Sequence, residues 1–188
     1  LVSFLLSLFV VFQTHAQTTI FNEDFEGSTH LMTSLGNPAW SVSTDLYSSG
    51  TKSIHNVVAI NDTSYLITPT INLTGYTYVL LDFQHICKIE FFDAAEVFIS
   101  TDNGTTWQKI PANMYMGTGQ YGSQGDKFNA NSYALTWLPA NGFAVPDNTW
   151  WKNEKFNVSS IAANQSQVKF RFRLSDNDNS PGANGNAG

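Results

Sequence analysis

Gln167–Ser175 reads QVKFRFRLS. Val168, Phe170, Phe172 and Leu174 alternate with Lys169, Arg171 and Arg173, and a period of two puts the apolar set on one face and three cations on the other. The run predicts a β-strand with one side on a core and a positively charged back. A longer run, TYVLLDFQHICKIEFF from Thr77 to Phe92, repeats the pattern. Val79, Leu81, Phe83, His85, Cys87, Ile89 and Phe91 share one face, and Leu80, Asp82, Gln84, Ile86, Lys88 and Glu90 the other. It predicts a second long, half-buried strand, bent by a bulge.

Shorter strands are expected at Ile20–Phe25, Ser53–Val58, Tyr65–Thr68, Ala95–Thr101, Thr106–Ile110 and Trp150–Asn157, and no run from Gln17 onward carries helical period. Asp102-Asn103-Gly104 separates EVFIS from TTWQKI and predicts a tight hairpin, because Asn-Gly accepts the positive φ such turns need. Residues 114–131, MYMGTGQYGSQGDKFNAN, read as a long excursion between strands. Many short strands with turn residues between them predict an all-β fold, an antiparallel two-sheet sandwich.

Composition fits a secreted β protein. The chain has 188 residues, 14% aromatic against 13% charged, enough apolar payload for a core. Its one cysteine, Cys87, excludes an internal disulfide. Nine basic and fifteen acidic residues give a net charge of −6, which argues against nucleic acid or an anionic membrane as partner. At the N-terminus, the apolar run Leu1–Phe12, the polar Gln13-Thr14-His15 and the small Ala16 have the form of a signal-peptide h-region and cleavage site. The expected division is a signal peptide over 1–16, truncated at its start, and one domain over 17–188. No Cys follows Ala16, which disfavours a lipid anchor there.

The stretch STDNGTTWQKI, residues 100–110, resembles the Asp-box hairpin of sialidases and other propellers. In such a hairpin Ser100, Asp102, Gly104 and Trp107 do structural work: the carboxylate accepts backbone N–H groups across its turn, the glycine takes a left-handed conformation and the indole packs beneath. A propeller would repeat the box at blade spacing. One copy argues for a hairpin and against sialidase catalysis.

FNEDFEG at 21–27, YLITPTINLTGYTYVLLDFQHI at 65–86 and WWKNEKFNVSSIAANQSQVKFRFRLSDND at 150–178, with the hairpin between the last two, occur in an order that resembles MAM-like jelly-roll domains. The nearest likeness is to cleaved-adhesin and "choice-of-anchor" modules that Bacteroidetes export by the type IX route. The resemblance covers residues 20–188. It implies a jelly-roll sandwich whose closing strand, with an Asp-Asp pair, is expected beyond Gly188. It also implies a structural Ca²⁺ held by acids of the first strand, a mid-chain loop and that Asp-Asp pair, by position Glu23, Asp24, Glu26 and Asp93 in this sequence, since Ca²⁺ takes six to eight oxygen ligands in loose geometry. The run SDNDNS, whose stretch from Asp176 to Ser180 follows Ser175, imitates a calcium loop but lacks its glycine and final glutamate, and reads as a polar loop.

Other constellations carry less. His85 and Cys87 share a strand face without a second Cys/His pair, so core packing is favoured over zinc. His30 and His55 stand alone, and neither Gly-x-Ser-x-Gly nor His-Glu-x-x-His occurs. Asp93 and Glu96 could be paired as glycosidase acids only arbitrarily, because sequence does not give their separation. Trp137, Trp150 and Trp151, with Tyr121 and Tyr133, supply the aromatic platforms of a sugar site, against a reading in which they cover core and sheet edges. Alternation sends Trp150 and Trp151 to opposite sides. Lys169, Arg171 and Arg173 form a cationic stripe that could meet an acidic glycan or a protein, against a solvated face.

The resulting expectation is a secreted or cell-surface, outer-membrane-associated, non-catalytic adhesion or recognition module. It would be calcium-stabilised, bind an extracellular glycan or protein, and belong to a polypeptide with further domains. The alternative is an accessory domain of a secreted peptidase or glycoside hydrolase. A structural spacer is the third reading.

Overall fold

The computed structural model describes residues 17–139 and 144–176. The signal-peptide expectation over 1–16 and most of SDNDNS fall outside them. Among the described residues nine strands follow one another: β1 (Thr33–Leu35), β2 (Ser41–Ser43), β3 (Ser53–His55), β4 (Thr63–Ile67), β5 (Leu80–His85), β6 (Ala94–Ser100), β7 (Gln108–Lys109), β8 (Lys152–Asn157) and β9 (Lys169–Ser175). Two single-turn helices, α1 (Ala134–Trp137) and α2 (Ser159–Ala162), and three short 3₁₀ turns complete the described elements. Among the described residues no helix is long and apolar enough to cross a membrane.

The alternating run at 167–175 becomes the centre of the architecture. β9 lies between β4 and β6 in an antiparallel sheet of order β1-β4-β9-β6-β7. Val168, Phe170 and Leu174 are buried, as the period of two requires. β5 and β8 form a second antiparallel ladder in which Leu80 opposes Asn157 and His85 opposes Lys152, and β2 and β3 form a third. The chain passes from β4 in the five-stranded sheet to β5, back to β6 and β7, out to β8 and back to β9. The fold is all-β.

Both larger sheets feed one core. Phe83 of β5 stacks on Phe156 of β8 at 6.2 Å and meets Phe172 of β9 edge-on at 5.0 Å. Phe128, Tyr121 and Trp137, from the excursion and the turn after it, close the cluster and are essentially inaccessible. Burying each such side chain contributes about 1.5–3 kcal/mol, so the excursion is anchored by its aromatics. A cleft of about 1440 Å³ opens between the sheets, with Trp40, Leu81, Phe83 and Phe172 on its walls.

Two strand expectations are corrected. Ile20–Phe25 forms no ladder: Phe25 has φ 62°, and Glu23 accepts hydrogen bonds from the Phe25 and Leu31 N–H groups, so the run curls on itself. The 77–92 strand stops at His85. Beyond it the chain turns to the excursion, where Ala130 N–H donates to Ile89 O and the Asn129 side chain to Phe91 O; Cys87 and Ile89 stay buried while Phe91 is exposed. β1 and β2, three residues each, were not legible in the alternation.

Candidate functional site

The outer face of the five-stranded sheet holds the most unusual set of side chains. Because β9 is central, its outward residues meet neighbours on both sides: Arg173 opposes Tyr65 and Glu96, and Arg171 opposes Ile67 and Phe98. The guanidinium of Arg171 lies 5.0 Å from the Tyr65 ring centre, 4.7 Å from Phe98 and 4.5 Å from Trp107. Cation–π attraction favours this packing.

The Asp-box-like hairpin delivers Trp107 to that position. Ser100 Oγ donates to Asp102 Oδ1 at 2.7 Å and accepts from Gly104 N–H at 2.8 Å. Asp102 in turn accepts from Thr106 N–H at 2.9 Å and Thr106 Oγ1 at 2.6 Å. Thr106, then Ser100, hold the Asp102 carboxyl down from its ordinary 3.8 to about 2. Gly104 has φ +90°, and a Cβ on it would stand 3.2 Å from the Trp107 ring and 3.5 Å from the Lys169 stem. Left-handed backbone and close approach both require glycine here.

The cations on this face are not equally served. Glu96, largely buried, pairs with Lys109 at 3.1 Å and with Arg173 at 2.7 Å. Arg171 has no hydrogen bond or ion pair from its side chain among the described residues. Its Nε is sealed from solvent without an acceptor, in a residue that is half-buried as a whole. Burial lowers the Arg171 guanidinium from its ordinary value, and Arg173 beside it acts in the same direction. Sequence reading noticed the stripe but not this inequality, which depends on which strand brings Glu96.

The expected sugar platform is largely core. Trp137 and Tyr121 are 0% and 1% exposed, Trp137 donating Nε1–H to Trp150 O at 3.1 Å and Tyr121 its hydroxyl to Ile110 O at 2.6 Å. Neither can stack on a ligand, which corrects that expectation. Tyr133 is half-buried against Trp137, with ring centres 4.8 Å apart. Trp150 is buried and Trp151 half-buried.

The expected calcium ligands serve the backbone. Glu26 accepts from Thr51 N–H, Lys52 N–H and Thr51 Oγ1 at 2.7–2.9 Å, and the Thr51 bonds hold its carboxyl below the ordinary range. Glu23 has both oxygens on backbone N–H groups, and Asp24 accepts from Glu26 N–H. Asp93 is buried and accepts from Glu90 N–H at 3.2 Å. Among the described residues no group of three or more His, Cys, Asp or Glu is gathered as a metal site. By themselves these four acids do not supply the several converging oxygens that a calcium ion needs.

One cluster escaped sequence reading. Glu154 is fully buried, and its carboxylate accepts from the Tyr115 hydroxyl at 2.5 Å and meets His85 Nε2 at 3.0 Å. Tyr133 stands 3.4 Å from Tyr115, oxygen to oxygen. Burial, then the Glu154 carboxylate, pushes the Tyr115 phenol up. Gly117 allows the group to close, since a Cβ there would fall within 2.6 Å of Tyr115 and Glu154. His85 therefore partners a buried acid, and Cys87, two residues on, is buried with its thiol pushed up by burial.

No protein-family model, no curated protein and no solved structure matches the chain.

Proposed function

We propose that the chain is a non-catalytic extracellular recognition module on a jelly-roll sandwich, with the outer face of the five-stranded sheet as its binding surface. The observation that carries the reading is Arg171, a guanidinium packed on three aromatic rings with no ion pair among the described residues. Leaving such donors unmet on a rigid sheet costs stability, and an incoming acceptor would offset that cost. Arginine and large aromatics together are also the residues that carry most binding energy at interfaces.

The jelly-roll part is supported by the repeated passage of the chain between two antiparallel sheets. The extracellular part rests on the Leu1–Phe12 apolar run ahead of Ala16. The test is a binding screen of the whole protein against extracellular glycans and matrix proteins, run beside hydrolysis assays on the same ligands. Saturable binding that weakens with salt, without turnover, is the expected result. Hydrolysis, or a blank screen, would overturn the proposal.

A further inference from the structure

Resting on that reading, we infer that the outer face recognises a carboxylate-bearing saccharide of the uronate class through the N–H edge of Arg171. The guanidinium is planar, and its five N–H donors lie in its plane. The rings of Tyr65, Phe98 and Trp107 pack around it, and no acceptor among the described residues meets its donors. A carboxylate matches that planar fork with two parallel hydrogen bonds, a fit that a point charge such as lysine does not offer.

The surroundings favour an anionic sugar. Lys169 lies on the same strand face, roughly 7 Å along from Arg171 at two residues' rise, and it too makes no ion pair among the described residues. Its stem runs past Gly104 next to the Trp107 ring. Among the cations on this face, Lys109 and Arg173 pair with Glu96, whereas Lys169 and Arg171 make no ion pair among the described residues, on a chain whose net charge is −6. Half-buried Trp107, Phe98 and Tyr65 add apolar surface of the kind that packs on the C–H face of a pyranose.

An acidic peptide fits less well. Peptides that join a sheet use a free strand edge, whereas β9 is paired with β4 on one side and β6 on the other. Only side chains are offered on this face. A rigid sugar with one acid per ring needs nothing more.

The experiment titrates the whole protein with an oligogalacturonate and with the same oligosaccharide fully methyl-esterified, by calorimetry and by NMR of the Arg171 Nε–H and Trp107 Nε1–H signals. The acid form should bind saturably and move both signals, and the ester should bind roughly tenfold more weakly or worse. Arg171→Gln should weaken the acid form roughly ten- to hundredfold, the scale of one charge-assisted pair, with an unchanged circular dichroism spectrum. The NMR readout in the unaltered protein keeps the test decisive if the variant fails to fold. Equal binding of acid and ester, or tighter binding of polyglutamate or a sulfated oligosaccharide, overturns the uronate inference and leaves the recognition reading standing. If none of the four probes binds, the inference falls. The recognition reading falls with it only when the wider screen is also blank.

Discussion

The guanidinium carbon of Arg171 lies 4.5 Å from the centre of the Trp107 ring. Arg171 comes from the middle of a strand paired on both sides, and Trp107 from just beyond a turn. The contact therefore depends on how firmly the turn is held, and that rests on Asp102.

Asp102→Asn should weaken the hairpin and move the Trp107 fluorescence maximum. The effect on unfolding should depend on pH with a defined sign. The folded carboxyl sits at about 2 against 3.8 when free, so its contribution is present in full above the higher value and is lost as pH falls through the lower. Glu26 and Asp147 are held low in the same sense, so wild type must be compared with variant. The gap between their urea midpoints should narrow from about pH 4 to about pH 2. A gap independent of pH would assign the hairpin's stability to something other than the charged Asp102.

Tyr115→Phe removes a donor from the buried Glu154 carboxylate and leaves its Oε2 without that partner. The expected loss in urea unfolding is about 1–3 kcal/mol. Combining it with Glu154→Gln should cost less than the sum of the two single changes, because both break the same hydrogen bond. Strict additivity would mean that the two groups are not coupled.

Trp137→Ala should destabilise by about 3–5 kcal/mol, the cost of emptying a large buried site. A sugar platform would behave oppositely, losing affinity while keeping stability. Thermal unfolding together with glycan titration of this one variant separates the two.

Calcium at millimolar concentration should leave the melting temperature of the chain unchanged, and so should chelation. Both oxygens of Glu23 and Oε1 of Glu26 already accept backbone N–H groups, and Glu26 Oε2 accepts the Thr51 hydroxyl. An ion that bound only the folded state would add about 2.7 kcal/mol at one hundred times its dissociation constant. A rise of that size would restore the metal site.

The sequence by itself settled what depends on near neighbours. Strict alternation at 168–174 placed β9 and its buried face, and Asp102-Asn103-Gly104 placed the hairpin, since side-chain direction in a strand and the φ of a turn are local properties. Tertiary structure decided the rest. His85 ends β5 because the chain beyond it finds its hydrogen bonds in the excursion rather than on β8. Trp137 and Tyr121 look like surface aromatics in a polar stretch, yet they fill the core because burying that much ring surface outweighs the ordering of the loop that carries them. Arg171 and Arg173 are two residues apart and chemically alike, but only Arg173 meets Glu96. Which cation is left over is a matter of strand register, set by residues some seventy positions away along the chain.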